Sequence, residues 1–331
     1  MFKYIVKRIL ISVVVLLGVS LILYTLVRMM PTNYVEIKYA PQLQAGTITE
    51  EDIDRFLELY GLKGNIFVGY FQWLGNLFTG NLGNSFKYEK PVSTVIVENM
   101  WISFSIAIVA TILQFLIAIP LGISSATHQY SARDYTVTVF TMIGISLPTY
   151  FFAAIVIKLF AVDLGWLPVG GLLSSTKDYP ATFAGVMSKF GDILHHMILP
   201  ITVTVVLSIG GWMRYTRTNM LEVLNADYIR TARAKGLSEK TVIYKHAFRN
   251  TLIPLATMLA GILPGLFGGM MITEEVFAID GIGRLAYAAL REGDLPFVMG
   301  YNMFLAVLTV IGTLLSDIMY AVVDPRVKLG K

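Results

Sequence analysis

The sequence predicts an all-α, polytopic membrane protein with six transmembrane helices. Three observations carry that expectation. Apolar residues make up 55% of the 331 and charged residues only 15%, against about 25% charged in an ordinary soluble domain. Mean hydropathy is +0.66. Apolar runs cover residues 9–27, 101–126, 136–162, 197–218, 251–273 and 298–323, and about 20 such residues suffice to cross a bilayer. Cysteine is absent, which excludes disulfides, thiolate metal sites and cysteine nucleophiles. The net charge of +4 is small. Basic residues lie beside the apolar runs rather than in a basic domain, so nucleic-acid binding is not expected.

The first run follows Lys3, Lys7 and Arg8. It is longer than the roughly 7–15 residues of a signal-peptide core, and no small-residue cleavage site follows, so it reads as an uncleaved first helix. With that helix, residues 1–30 form the first of three regions. The second, residues 31–97, is polar and aromatic. Thr49 and Asp52 are spaced to cap a short helix that buries Ile53, Phe56, Leu57 and Tyr60 and ends at Gly61. Phe67, Tyr70, Phe71, Trp73 and Leu74 suit a helix lying at a membrane interface. Residues 80–86 and Lys90-Pro91 read as turns back to the bilayer.

The third region, 98–331, holds five of the apolar runs. Pro120, Gly122, Pro148, Pro200, Pro254 and Pro264 lie in them and mark bends or close helix contacts. With the N-terminus inside, the inner segments hold Lys3, Lys7, Arg8, Arg133, Arg214, Arg217, Arg230, Arg233, Lys235, Lys240, Lys245, Arg249, Arg326, Lys328 and Lys331. These are 15 of the 26 Lys and Arg residues. The positive-inside rule therefore places both termini in the cytoplasm and residues 31–97 outside as a large first loop.

One polar, basic segment, about residues 219–250, separates two apolar runs. It reads as two short helices joined at Gly236. Leu221, Leu224, Tyr228 and Ala232 give the first an apolar face. Arg230, Arg233 and Lys235 favour its C-terminal dipole, and Gly236 can take the positive φ that ends it. Ser238 caps the second helix, with Leu237 and Val242 spaced as a hydrophobic staple.

Catalytic and metal motifs are missing. No P-loop occurs, the only Gly-Lys pair being Gly330-Lys331. The adjacent His195 and His196 lack the i,i+4 spacing of a zinc pair, and no nucleophile elbow occurs. Ionisable residues in or beside the apolar runs are Arg28, Lys158, Glu274, Glu275 and Asp317. Arg28 and Lys158 are placed to snorkel, Glu274 and Glu275 sit at an outer boundary, and Asp317 is the most interior. Asp317, Gln114, Ser146 and Asn302 are candidates for lining a pathway; hydrogen bonding to a neighbouring helix is the competing role for Asp317.

The segment DYIRTARAKGLSEK followed by HAFRNTLIP resembles the coupling loop of ABC importer permeases, in the form found in the dipeptide, oligopeptide and nickel branch. Arg230-Thr231-Ala232 stands where that family has Glu-Ala-Ala, and Gly236 holds its glycine. Residues 274–300 and Asp324-Pro325-Arg326 also resemble the family, with Asp280 replacing a proline. The likeness runs from Lys7 to Lys328 and is greatest to the B-type subunit of peptide permeases. It implies a type I importer permease fold and a non-enzymatic transport subunit in a prokaryotic plasma membrane. It implies as partners a homologous second permease, two cytosolic ATPases that hold ATP and Mg, and an extracytoplasmic binding protein delivering a peptide. No cofactor is implied in this chain. Asp227, Arg230, Thr231, Ala232, Ala234, Lys235, Gly236, Leu237 and Ser238 would form the ATPase-coupling loop. Nickel or oligosaccharide remains an alternative cargo, and an ion-driven secondary transporter an alternative class.

Overall fold

A computed structural model describes residues 2–30, 34–59, 63–258 and 261–323. Helix α1 (Phe2–Arg28) carries the first apolar run. Three short helices follow: α2 (Tyr34–Gln44), α3 (Glu50–Leu59) and α4 (Ile66–Phe78). Then come α5 (Val92–Thr127), α6 (Ala132–Ser146), α7 (Thr149–Val156) and α8 (Phe183–Leu224). The loop holds α9 (Asp227–Ala234) and α10 (Glu239–Thr241), and the chain ends through α11 (Phe248–Met258), α12 (Ile262–Phe267), α13 (Met271–Val276), α14 (Ile282–Arg291) and α15 (Leu295–Val323). Among the described residues no strand forms; a single antiparallel bridge joins Asn84 to Pro91.

Among the described residues four helices are long and apolar enough to cross a membrane: α1, α5, α8 and α15. The expected span 136–162 is instead a bent pair. Helix α6 ends at Ser146, and Pro148 caps α7 without an N–H to continue the ladder. The two directions differ by 103°. A π-type segment, Ile157–Asp163, extends α7. The expected span 251–273 is also interrupted. Its residues are divided among α11, α12 and α13, with Gly268 and Gly269 separating the last two. Glycine and proline density, which hydropathy averages over, accounts for both breaks. Helix α8 runs the other way, to 42 residues, because Phe183–Met197 continues helically ahead of the apolar run.

Small residues set the helix spacing. Helices α5 and α8 run parallel: along both, Gln114 meets Thr204, Gly122 meets Thr216, and Ser125 meets Arg217. A Cβ on Gly122 would lie 2.7 Å from Thr216 Cβ and 2.8 Å from the Met213 carbonyl, so the backbones nearly touch there. Gly144 and Gly210 play the same part between α6 and α8.

The residue 31–97 region packs on the ends of α1, α14 and α15. Thr49 and Asp52 exchange backbone-to-side-chain hydrogen bonds at 2.9 and 3.3 Å, the expected capping box of α3. The Thr49 backbone and hydroxyl donors hold the Asp52 carboxyl below its ordinary range. Ile53, Phe56 and Leu57 are half-buried; the expected end at Tyr60 and Gly61 lies outside the described residues. In α4, Tyr70 is buried against Tyr24 of α1, whereas Phe67, Phe71 and Phe78 stand exposed, as an interfacial helix requires. The turns follow, with Gly80 and Gly83 at positive φ. Asp294, fully buried, accepts from Phe297 N–H as the cap of α15 and from Lys87 N–H and the Ser85 hydroxyl.

Candidate functional site

The loop helix α9 begins at Asp227, later than the sequence suggests. Helix α8 keeps Leu221 and Leu224, and the chain breaks at Asn225 and Ala226 before α9 starts. Its buried face is therefore Ile229 and Ala232, at 0% and 6% exposure, while Tyr228 stands 49% exposed. Ile229 and Ala232 join Ile123 and Ala126 of α5, Met220 of α8, and Val242 and Ala247 in one apolar cluster. The other face carries Asp227, Arg230, Thr231, Ala234 and Lys235, all exposed. The loop is thus anchored by one stripe of side chains and presents the opposite stripe outward.

Gly236 sits at φ +78° after Lys235, and a Cβ there would meet nothing within 4 Å. The glycine serves backbone conformation, not close packing. Ser238 caps α10 through the Thr241 N–H at 3.4 Å. Val242 is buried, but Leu237 is 39% exposed and lies outside the apolar cluster, so the expected staple does not close. Arg233 instead ties the two halves by pairing with Glu239 at 2.9 Å. Beyond α10 a π-type segment, Val242–Ala247, leads into α11.

Immediately behind the loop, Asp134 at the start of α6 is buried and accepts from Arg217 of α8 through Nε at 2.9 Å and Nη2 at 2.8 Å. It also accepts from Tyr130 N–H at 3.0 Å and from the Ser125 hydroxyl of α5. This knot binds three helices at the loop's base. In the sequence Arg217 stands out only as an inner charge, and the one signal at Asp134 is an acid in a Ser131-capped first turn, which suits a helix N-terminus.

Farther from the loop, α5, α8 and α12 line a half-open cavity of about 160 Å³. Gln114, Thr111, Thr204, Trp212 and Met270 are among its lining residues, and no lining residue is charged. Gln114 Nε2 donates to the Thr204 carbonyl at 3.5 Å, and Trp212 packs edge-on against Phe115. Of the candidate pathway residues, Gln114 alone lines this cavity. Ser146 is exposed at the end of α6 and bonds the Met142 carbonyl. Asn302 bonds the Val298 carbonyl within α15. Asp317 pairs with Arg8 of α1 at 3.1 Å, which fits helix-to-helix bonding.

Glu274 is fully buried within the protein. Its carboxylate accepts from the Ser103 hydroxyl at 2.6 Å and from Met270 and Arg284 N–H at 3.0 and 2.9 Å. Lys158 is held by Asp163 at 2.6 Å. Asp192, buried near the start of α8, gathers Ser174, Lys177 and Tyr179, and its carboxylate raises the Lys177 ammonium pKa. Among the described residues no three His, Cys, Asp or Glu side chains converge to hold a metal.

Long apolar helices beside interrupted ones, an uncharged cavity among α5, α8 and α12, and an exposed basic loop at one end describe a multi-pass membrane protein. The chain belongs to the family described as binding-protein-dependent transport system inner membrane component, whose profile matches residues 118–329. A second profile, for the N-terminal part of binding-protein-dependent transport system membrane components, matches residues 1–107. The chain is 37% identical over 329 residues to the oligopeptide transport system permease protein AppB of Bacillus subtilis, covering 99% of this chain and 100% of that one. It is 32% identical over 337 residues to the dipeptide transport system permease protein DppB of Alkalihalophilus pseudofirmus, again covering 99% and 100%. Its fold is similar to a chain of the MetNI methionine ABC transporter in an inward-facing crystal form. There the TM-score is 0.51 and identity 17%, covering 70% of this chain and 97% of that one.

Proposed function

We propose that this chain is one of two permease subunits of an ATP-driven importer of oligopeptides or dipeptides. The observation that carries the reading is the two-faced loop helix: Ile229 and Ala232 fix it to α5 and α8, while Asp227, Arg230, Thr231 and Lys235 stay exposed for a partner. Near full-length likeness to peptide permeases supports the cargo. The uncharged cavity suits peptides of varied sequence, since hydrogen-bonding groups such as Gln114 and Thr111 can meet a peptide backbone without selecting its charge.

On this reading the chain crosses the plasma membrane of a prokaryote six times, with the bent α6–α7 pair as the third crossing and α11–α12 as the fifth. Both termini and α9 face the cytoplasm. Two cytosolic ATPase subunits hold ATP and Mg, and one docks on α9. A homologous permease completes the path, and an extracytoplasmic binding protein delivers cargo. The chain itself needs no cofactor. ATP favours one docked arrangement of the ATPases and so shifts the inward–outward equilibrium through α9.

The test is co-expression with the genes beside it, purification through a tag on this chain, and reconstitution in vesicles. Co-purification of two ATPases and a second permease, with ATP hydrolysis raised by binding protein loaded with peptide, is the expected result. Nickel uptake in place of peptide uptake would overturn the cargo. Purification of the chain alone, with ATP-independent uptake, would overturn the class.

A further inference from the structure

The cavity beside α5, α8 and α12 is the size of one side chain. It measures about 160 Å³. About 150 Å³ holds a benzene-sized guest, whereas a pocket for a whole small ligand takes roughly 300 Å³ or more. Its walls are mostly apolar, with Ile262 and Leu266 of α12 and Met270 among them. Trp212 of α8 is another, its ring braced edge-on by Phe115 at 4.7 Å between centroids. An indole wall favours an apolar or aromatic guest. No lining residue is charged, so a charged side chain would lose its water there and gain no partner.

Two residues of the lining are unexplained by folding alone. Gly122 and Gly210 let backbones touch, and Gly236 and Gly269 hold positive φ. Gly265 does neither. It lies inside α12, its φ is not positive, and a Cβ there would meet nothing within 4 Å. Glycine inside a helix is less stable than alanine, so here the missing side chain shows as open space in the cavity wall. Gln114 is the second. It is only 7% exposed, and among the described residues it makes one hydrogen bond, from Nε2 to the Thr204 carbonyl at 3.5 Å. A primary amide can donate two hydrogen bonds and accept two. Gln114 Oε1 accepts from none of the described residues and is not sealed in protein, so it opens on the cavity it lines. A buried amide this short of partners is costly, and a guest of the right chemistry would supply them.

We propose that this cavity is a cargo subsite for one bulky, uncharged apolar or aromatic residue of the peptide, with the side chain against Trp212 and Gly265 and the adjoining peptide group paired with Gln114. The proposal rests on the peptide-import reading above and adds to it a side-chain preference within this chain. In the pairing, Gln114 Oε1 accepts from the peptide N–H and Nε2 donates to the peptide carbonyl, the two bonds one amide offers another. A lipid acyl chain would fill the apolar part and leave Gln114 unpaired. Burying a leucine- or phenylalanine-sized side chain favours occupancy by tenfold or more. The cavity is half-open, so the lower end of that range, about tenfold, applies.

The test uses the co-purified transporter in vesicles with its binding protein and ATP. The probe is an alanine peptide in which one residue is a diazirine analogue of leucine, which on irradiation attaches to whatever its side chain touches. A parallel sample lacks peptide and carries a diazirine in the acyl chain of phosphatidylcholine. During turnover the peptide probe should form adducts on residues 262–270 or on Trp212. Gly265→Leu, which fills the open space, should lower their yield about tenfold. Gln114→Met, close in length but unable to pair with an amide, should lower it several-fold. Adducts there from the lipid probe alone would make the cavity a lipid groove and overturn the subsite. Peptide uptake without peptide adducts at these residues overturns it as well. So does equal yield in wild type and Gly265→Leu, with the variant chain present at normal amount. Should the variants fail to accumulate, the comparison of the two probes on the wild-type chain still decides the site. If wild-type vesicles take up no peptide at all, the peptide-import reading is what fails, and the subsite falls with it.

Discussion

Replacing Arg217 with methionine should destabilise the chain more than replacing both members of its ion pair. Asp134 is 3% exposed and accepts five hydrogen bonds, two of them from the Arg217 guanidinium at 2.8 and 2.9 Å. Arg217→Met removes its positive partner and leaves the carboxylate with Tyr130 N–H and the Ser125 and Thr138 hydroxyls. Breaking a buried pair from one side costs about 3–5 kcal/mol. Arg217's side chain is 25% exposed, so water can enter as it leaves, and the loss should sit near the lower end, about 3 kcal/mol. The double variant Asp134→Leu/Arg217→Met removes both charges. Its remaining cost is chiefly the Tyr130 N–H without its acceptor, about 1–2 kcal/mol, since the Ser125 and Thr138 hydroxyls can turn to carbonyls of their own helices. The measurement is the thermal midpoint of the detergent-solubilised transporter, followed by the loss of monodisperse complex on size exclusion. The expected order is wild type, then the double variant, then Arg217→Met. If Arg217→Met is as stable as the double variant, the pair is not buried and coupled in the way described, and the knot behind the loop is a surface contact.

Other outcomes follow from single features. Gly236→Val places a β-branched residue at φ +78° and should cost about 1–2 kcal/mol of local backbone energy. Peptide uptake should fall while chain abundance holds, and Gly236→Asn should restore most of it; equal uptake by Val and Asn variants would remove the backbone explanation. Gly122→Leu forces atoms into Thr216 and the Met213 carbonyl and should cost about 1–3 kcal/mol, read as a lower thermal midpoint. Asp294→Ala removes the α15 cap and should cost about 1–2 kcal/mol, with faster amide exchange confined to the first turn of α15 and residues 85–88. Asp52 has its carboxyl pKa lowered by the Thr49 donors. Its stabilisation is present above the unfolded value and lost as pH falls through the folded one, so the protection of α3 amides, relative to the intrinsic exchange rate at each pH, should fall in acid and not in base.

What the sequence made legible is mostly local. The Thr49–Asp52 box, the Gly236 turn and the Ser238 cap each depend on residues within a few positions, and each forms as expected apart from the unclosed Leu237 staple. The apolar runs of α1, α5 and α15 were legible because hydropathy sums over one continuous helix. Features made by distant residues were not. Glu274 stands 171 positions from Ser103, and Arg217 stands 83 from Asp134. Nothing adjacent to Glu274 announces that it will be buried. Its neighbour Glu275 pairs with Arg284 at the surface, and the two acids look alike in sequence. The bend at Pro148 illustrates the middle case. Proline marked the break, but the 103° turn depends on how α6 and α7 pack on α8. The loop helix was found, and Leu221, Leu224 and Ala232 do pack in the apolar cluster, but Tyr228 stands exposed and Ile229 is buried instead, because α8 continues to Leu224 and the chain re-enters helix out of phase after Ala226.

The glycine contact between α5 and α8 has a mechanical consequence. Where two helices meet through side chains, each rotamer acts as a small spring, and motion of one helix is partly absorbed before it reaches the other. At Gly122 the α5 backbone lies against Thr216 and the Met213 carbonyl with almost nothing between. Such a joint has little compliance, so the two helices should tilt together as one beam. Their 36 and 42 residues give that beam roughly 50–60 Å of length at 1.5 Å per residue. A few degrees of rotation imposed near Ser125 would then displace Ser103, some twenty residues away, by about an ångström or more. That is a sizeable fraction of the hydrogen-bond length joining Ser103 to Glu274. The stiffness of one glycine crossing therefore sets how much of any movement at the loop is still felt at the far end of the cavity.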